Sequence, residues 1–278
     1  MIHILGLSIG ISAALVIFLI VYYEGSFDRF EPGKDRIYRV VLDASFNGSQ
    51  GRSAAVPAPL GSAMQNKVTG LELTVPVFQF QDDASAKVSV VGNNPEKPVV
   101  YKKQKEIVFT NGQYFELLDY KWLAGSPKTS MENPFSIVLT ESRAYQYFPS
   151  IPLDDIAGKQ VTYNDDLLTT ISGIVEDLHE NTAFTSVEFI SLSTIFNTNL
   201  QDRFMMTVWN DWMAYSQLFV KLTKGSNKLA VEDQVKKMFK KYNPDNNPSN
   251  SITFHLQPLN EMHFDANYPG VGQRRRQN

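Results

Sequence analysis

From Ile4 to Tyr23 the chain reads ILGLSIGISAALVIFLIVYY, twenty residues without one charged side chain. At about 1.5 Å rise per residue, such a run covers roughly 30 Å as a helix, the thickness of a bilayer's hydrocarbon core. Between Ile2 and Val21, thirteen positions are Leu, Ile, Val or Phe. At roughly −0.3 to −0.6 kcal/mol each near a helix centre, they outweigh the cost of Ser8 and Ser12, whose hydroxyls can bond back to helix carbonyls. Tyr22 and Tyr23 fall where an interfacial aromatic belt belongs, and Glu24 ends the run. The pattern predicts a transmembrane helix over residues 1–23 and a folded extramembrane region over 24–278.

A cleaved signal peptide would need a basic start, a shorter apolar core and a small-residue cleavage site. The first Lys or Arg is Arg29, and no A-x-A site follows the run. A buried core helix rarely runs twenty residues without a charge. Beyond the run, Glu24, Asp28, Glu31 and Asp35 alternate with Arg29, Lys34, Arg36 and Arg39, so charge alone does not orient the helix. A chain opening directly on its span is expected to be a segment of a longer protein. Within the helix, Gly6 and Gly10 form a G-x-x-x-G, a spacing that lets a second helix approach closely.

The region after the helix is large enough for one sizeable core or two modest ones. A formal net charge of −3 argues against nucleic acid as a partner, and the absence of cysteine excludes disulfides and thiolate metal sites.

Two stretches share a strand–helix–strand grammar. In the first, Arg36–Phe46 carries the strand formers Ile37, Tyr38, Val40 and Val41. Pro57-Ala-Pro-Leu60 opens a short helix with Leu60 and Met64 one turn apart. Leu71–Phe80 then alternates as a strand, with Pro76 marking an edge or bulged position. In the second, Tyr215–Leu222 is a strand. Val231, Val235, Met238, Phe239 and Tyr242 form one apolar stripe on the helix Leu229–Tyr242, opposite a lysine-rich face. Asn243-Pro244 stops that helix, and Ser251–Pro258 is the closing strand. Such pairs of units assemble as split βαβ motifs with both helices on one face of a sheet.

The predicted fold class is therefore α+β: an N-terminal transmembrane helix, then a porter-like subdomain of two split βαβ units with an inserted β-rich subdomain. The porter-like part is placed at about 30–101 and 206–262, the insertion at about 102–205. Short strands are expected at Val88–Val91, Val99–Tyr101, Ile137–Leu139, Gln160–Tyr163 and Thr169–Val175, and a helix at Glu141–Phe148 with Thr140 as its N-cap.

No catalytic constellation emerges. Gly158-Lys159 lacks the remainder of a phosphate-binding loop, and neither G-x-S-x-G nor H-E-x-x-H occurs. His3, His179, His255 and His263 lack ligand spacing, and satisfied structural histidines are the expectation. The pairs Asp82-Asp83, Asp154-Asp155 and Asp165-Asp166 read as solvated loops, since neighbours on a strand point to opposite faces. Trp209 and Trp212 are candidates for a subdomain junction or a partner surface, with a ligand platform as the other reading. Arg274–Arg276 is a basic run suited to lipid headgroups. No catalytic, cofactor or metal residue is assigned, and no enzymatic activity is expected.

An ordered series of short motifs resembles the MacB-like (FtsX-type) ABC transporter permeases of bacteria, specifically the first transmembrane helix and the periplasmic core domain. The carriers are Leu5-Gly-Leu-Ser-Ile-Gly10, Ser26-Phe-Asp-Arg-Phe30, Asp35-Arg-Ile-Tyr-Arg-Val40 and Pro57-Ala-Pro-Leu60. Next come Asn111-Gly-Gln-Tyr-Phe-Glu-Leu-Leu118, Leu123-Ala-Gly-Ser-Pro127 and Ile137-Val-Leu-Thr-Glu-Ser142. Gly158-Lys-Gln-Val161, Ile174-Val-Glu-Asp177 and Leu256-Gln-Pro-Leu259 complete the series.

The resemblance implies a homodimeric permease subunit in the bacterial inner membrane, with its main domain in the periplasm. It implies a cytoplasmic ABC ATPase as motor, and a periplasmic adaptor or outer-membrane channel as further partner. ATP-driven motion would be transmitted across the membrane to act on a substrate from the periplasmic side. A complete permease of this type also needs three further spans and coupling helices, which this sequence lacks. The alternative from another class is an extracytoplasmic ligand-sensing domain of a membrane receptor.

Overall fold

The structure, a computed structural model, describes residues 2–26, 33–80, 85–91, 97–244, 250–263, 265, 267 and 268; within the first helix the side chains of 2–6, 8, 9 and 24 are not described. The chain begins with α1 (Ile2–Glu24) and continues through β1 (Ile37–Phe46), β2 (Ser49–Ser53), α2 (Leu60–Lys67) and β3 (Leu71–Gln79). It then forms β4 (Ala86–Val90), β5 (Val99–Gln104), β6 (Ile107–Thr110), α3 (Gln113–Leu117), β7 (Trp122–Ala124) and β8 (Ser136–Thr140). Next are α4 (Glu141–Tyr147), β9 (Gln160–Tyr163), β10 (Leu167–Val175), β11 (Glu188–Ser191), α5 (Ser193–Phe196) and α6 (Leu200–Arg203). β12 (Ser216–Leu222), α7 (Lys228–Tyr242) and β13 (Ser251–Pro258) close the sequence of elements.

The strands join one mixed sheet in the order β13-β1-β12-β3-β6-β11-β8-β10-β9-β4-β5, with β2 added to β1 and β7 to β10. Its first four strands each run antiparallel to their neighbours and interleave the two predicted units, the arrangement of a split βαβ pair. Both helices lie on one face. Leu60 and Met64 of α2 share a core with Val231, Val235, Met238 and Phe239 of α7 and with Val40, Leu42, Leu218, Val220 and Phe254 of the strands. Four members of the α7 stripe are thus buried as their spacing predicts, while the fifth, Tyr242, is exposed at the end of the helix. Asn227 caps the helix by accepting from the amides of Leu229 and Ala230, and Asn243 ends it.

The rest of the sheet is mixed. β6 pairs β11 in parallel and β8 pairs β10 in parallel, while β11 and β8 are antiparallel. A second core, around Ile107, Phe109, Leu139, Ile174 and Ile190, fills one side. A third core spans both parts of the sheet. It joins Ile37, Val75 and Phe219 to the aromatic group Tyr114, Phe115, Tyr120 and Phe189.

Two local expectations differ from what is observed. The stretch up to residue 101 assigned to the porter-like part includes β4, which pairs with β9 through Val88↔Tyr163, and the boundary falls inside β5. Alternation identifies a strand but carries no information about its partner. Thr140 does occupy the N-cap position of α4, but its side chain makes no capping bond. The carboxylate of Asp177 takes that role, accepting from Ser142 N at 2.8 Å and Ser142 Oγ at 2.6 Å. A full negative charge at a helix N-terminus is the stronger acceptor, and it is supplied from 35 residues away.

Candidate functional site

The sequence features singled out above fall into separate places. In α1 every described large apolar side chain is more than half exposed, from Tyr23 at 51 % to Tyr22 at 70 %, on all sides of the helix. Gly10 has no atom within 4 Å of where a Cβ would sit, and the surroundings of Gly6 lie outside the described residues. Among the described residues no helix is long and apolar enough to cross a membrane. The part of α1 with contiguous described side chains, 10–23, is fourteen residues, short of the roughly 20 a span needs. The predicted span Ile4–Tyr23 therefore extends beyond them.

Trp209 and Trp212 both pack against the α2–α7 core. Trp209 stacks on Tyr242 at 4.4 Å between ring centroids and meets Phe239 at 6.0 Å; Trp212 stacks on Phe46 at 6.0 Å. They fasten the segment before β12 to α7 and to the tip of β1. His255 Nε2 lies 3.6 Å from the Asp43 carboxylate, and no group of three or more His, Cys, Asp or Glu side chains suited to a metal ion occurs among the described residues. Asp82-Asp83 and Arg274–Arg276 lie outside the described residues.

The chain reaches and leaves the sheet side by side. Tyr38, near the start of β1, is paired with Pro258, the end of β13. The outgoing segment is tied down there: buried Arg39 donates from Nε and Nη2 to Gln257 Oε1 at 3.0 and 2.7 Å, and from Nη2 to the Tyr268 carbonyl at 2.7 Å. Gln257 in turn donates to Asp265 at 3.0 Å. Burial pulls the Arg39 guanidinium down to about 10, with the nearby Asp265 charge opposing.

Two polar arrangements escaped the sequence reading. The first is a seam. β3 pairs β6 at only two positions, Phe78↔Phe109 and Gln79↔Val108. Further along this edge of β3, side chains of Thr110, Asn111 and Gln113 take the place of strand pairing. Thr74 N donates to Gln113 Oε1 at 2.8 Å, Asn111 Nδ2 donates to Thr74 O at 3.1 Å, and Thr110 Oγ1 donates to Pro76 O at 2.9 Å. Pro76 has no amide on this open edge to leave unpaired, which is why proline is tolerated there. Gly112 is required by close approach, since a Cβ would fall 2.2 Å from the Pro127 carbonyl oxygen. Asn111 Oδ1 is buried without a hydrogen-bond partner among the described residues.

The second is a buried charge cluster. Glu188, wholly buried, accepts from Tyr147 Oη at 2.7 Å and Tyr163 Oη at 2.6 Å and pairs with Arg143 Nη1 at 2.8 Å. Arg143 also donates to Gln104 Oε1 at 2.5 Å and the Lys105 carbonyl at 3.1 Å. Burial pushes the Glu188 carboxyl up, against the pull of Arg143 and the two hydroxyls. Burial also opposes the Arg143 charge, but Glu188 and the tyrosines more than restore it. Burial and Glu188 push both tyrosines well up, so each stays a donor. The cluster joins α4, β9, β11 and the β5–β6 turn. Its one sequence signal is an acid opening the otherwise apolar run Phe189-Ile190.

Fold and site together define a porter-like split βαβ module extended by a second half-sheet and preceded by an apolar helix. The family model for the MacB-like periplasmic core domain matches residues 1–238, and the chain belongs to that family, the periplasmic domain of ABC transporter permeases. Among solved structures, a domain of a Porphyromonas gingivalis protein assigned as a permease aligns with a TM-score of 0.64 at 17 % identity, covering 83 % of this chain and 92 % of that one. The periplasmic region of MacB from Actinobacillus actinomycetemcomitans aligns with a TM-score of 0.48 at 15 % identity, covering 79 % and 90 %. No curated protein matches.

Proposed function

We propose that this domain is a mechanotransmitter: α1 spans the inner membrane and carries ATP-driven motion from a cytoplasmic ABC ATPase to a periplasmic dimer of the domain. The observation that carries this reading is α1 itself. Its fourteen contiguous described residues present apolar surface on every side. Water would penalise that exposure at about 25 cal/mol per Å², whereas lipid and a neighbouring helix would not. Gly6 and Gly10 offer the packing face toward such a neighbour. The adjacency of Tyr38 and Pro258 supports the reading, because movement of either adjoining segment reaches the same end of the sheet.

In this reading the chain moves and binds but catalyses nothing, and a periplasmic adaptor or outer-membrane channel engages its far surface. The chain has no native cysteine, so engineered pairs are unambiguous. A cysteine pair across the dimer interface of the whole permease should crosslink to different extents with and without ATP. Equal crosslinking in both states would count against mechanotransmission.

A further inference from the structure

The segment 176–187, between β10 and β11, touches both halves of the sheet and the end of α1. At its start, Glu176 N donates to the Lys121 carbonyl at 2.9 Å and the Asp177 carboxylate caps α4. In its middle, Asn181 Nδ2 donates to Ser26 Oγ at 2.6 Å. Ser26 Oγ in turn donates to Tyr23 O at 2.6 Å, a carbonyl in the last turn of α1 that also accepts from Ser26 N at 3.0 Å. A two-step polar link therefore runs from the last turn of α1 to this segment. Further on, the Phe184 ring sits 4.9 Å from Phe219 of β12 and joins the cluster containing Ile37, Leu259 and Met262, where the chain reaches and leaves the sheet. At its end, Val187 N donates to Glu106 O at 2.9 Å, Val187 O accepts from Thr140 N at 3.0 Å, and the next residue is Glu188.

We propose that residues 176–187 are the strap that passes displacement of α1 into the far half of the domain, with Asn181 the positioning residue that picks it up. The inference rests on the mechanotransmission reading and names its first step. The chemistry suits the task. A neutral amide-to-hydroxyl bond holds direction without needing charge, and Phe184 is a buried fulcrum against β12. Asp177 and Glu188 stand at the two ends, both anchored by short polar contacts to α4. Displacement of Asn181 thus reaches α4 from two sides, through its N-cap and through Arg143.

The test has two arms. In lipid nanodiscs, this chain is spin-labelled through Ile17→Cys on α1 and Tyr145→Cys on α4, both exposed and both unique thiols. Asn181→Ala and Ser26→Ala are expected to broaden the distance distribution, with the detached population rising about fivefold, what one net hydrogen bond holds. His179→Ala, on an exposed strap residue, should leave it unchanged, and hydrogen exchange in β10 and β11 should stay constant throughout. An unbroadened distribution in Asn181→Ala, or equal broadening in His179→Ala, would overturn the strap. In the whole permease, ATP should alter hydrogen exchange at α4, and Asn181→Ala should reduce that response while ATP hydrolysis continues. An α4 that ignores ATP in the unmodified permease overturns mechanotransmission, leaving the mechanical link as the first arm finds it; an unchanged response in Asn181→Ala overturns the strap alone.

Discussion

The half-sheet β13-β1-β12-β3 and the half-sheet from β6 to β5 are held by different forces. The first is antiparallel throughout and rests on an apolar layer between strands and two helices. Hydrophobic burial is non-directional, so the packing between these strands and helices tolerates small shifts. The second mixes parallel and antiparallel pairing and encloses a charge cluster with several directional contacts. Such contacts are costly when misaligned, which suits a region whose position must be definite. Between them lies a seam of two residue pairs, a backbone hydrogen bond from Phe80 N to Ile107 O and three side-chain hydrogen bonds. The contrast teaches that one continuous sheet can be held by different kinds of contact at its two ends.

The sharpest way to break this comparison is Glu188→Leu. It strands Arg143 in the interior and should cost about 3–5 kcal/mol of stability in urea unfolding. Adding Arg143→Met should recover about half of that loss, because removing both charges is far cheaper than removing one. Failure of the second change to recover stability would deny the directional character of that half. In the other half, Leu60→Ala should cost about 2–5 kcal/mol, as a cavity left where fully buried Leu60 anchors α2, with no such polar rescue available.

Gln113→Ala addresses the seam. It leaves the buried Thr74 amide without its acceptor, at about 1–3 kcal/mol. Trp122 lies in the second half, 4.9 Å from Phe115, while Trp209 and Trp212 report the first. Single-tryptophan variants should unfold coincidently in the parent chain and at separate urea concentrations in Gln113→Ala. Persistent coincidence would mean that the shared aromatic core, not the seam, couples the halves.

The smallest effect concerns pH. Hydrogen bonding to Arg36 comes first among the influences that hold the Glu72 carboxyl low, against slight burial. Its stabilising contribution is complete above the ordinary glutamate value of about 4.3 and fades as pH falls through the lowered folded value. Glu188 has the opposite sign. Its carboxyl is raised in the fold, so its contribution is complete below the ordinary value and fades as pH rises through the raised one. Stability–pH profiles of Glu72→Gln and Glu188→Gln against the parent should therefore diverge in opposite directions.

The legible part of the molecule was the part built on periodicity. The 3.6-residue stripe of Val231, Val235, Met238 and Phe239, the alternation of Leu71 to Val77 and the stop at Asn243-Pro244 all act within a single element. The placement of β4 beside β9 and the capping of α4 by Asp177 were not legible, because each depends on a partner far away in sequence. Glu188 is the extreme case. Its partners lie 25, 41 and 45 residues earlier, at Tyr163, Tyr147 and Arg143, and its only local signal is the apolar run that follows it. Trp209 and Trp212 were visible as unusual, and the structure gives their packing against α7 and β1.

The pairing of Tyr38 with Pro258 has a consequence for the evolution of such chains. Adjacent strands of a sheet lie about 5 Å apart, so the intervening domain starts and finishes within one strand spacing. To whatever adjoins it, the domain is topologically a graft on a tight turn. It can be exchanged for a larger or smaller body without moving its two attachment points. The closure entropy of such a graft grows only logarithmically with its length. Bodies of very different size can thereby share one pair of attachment points.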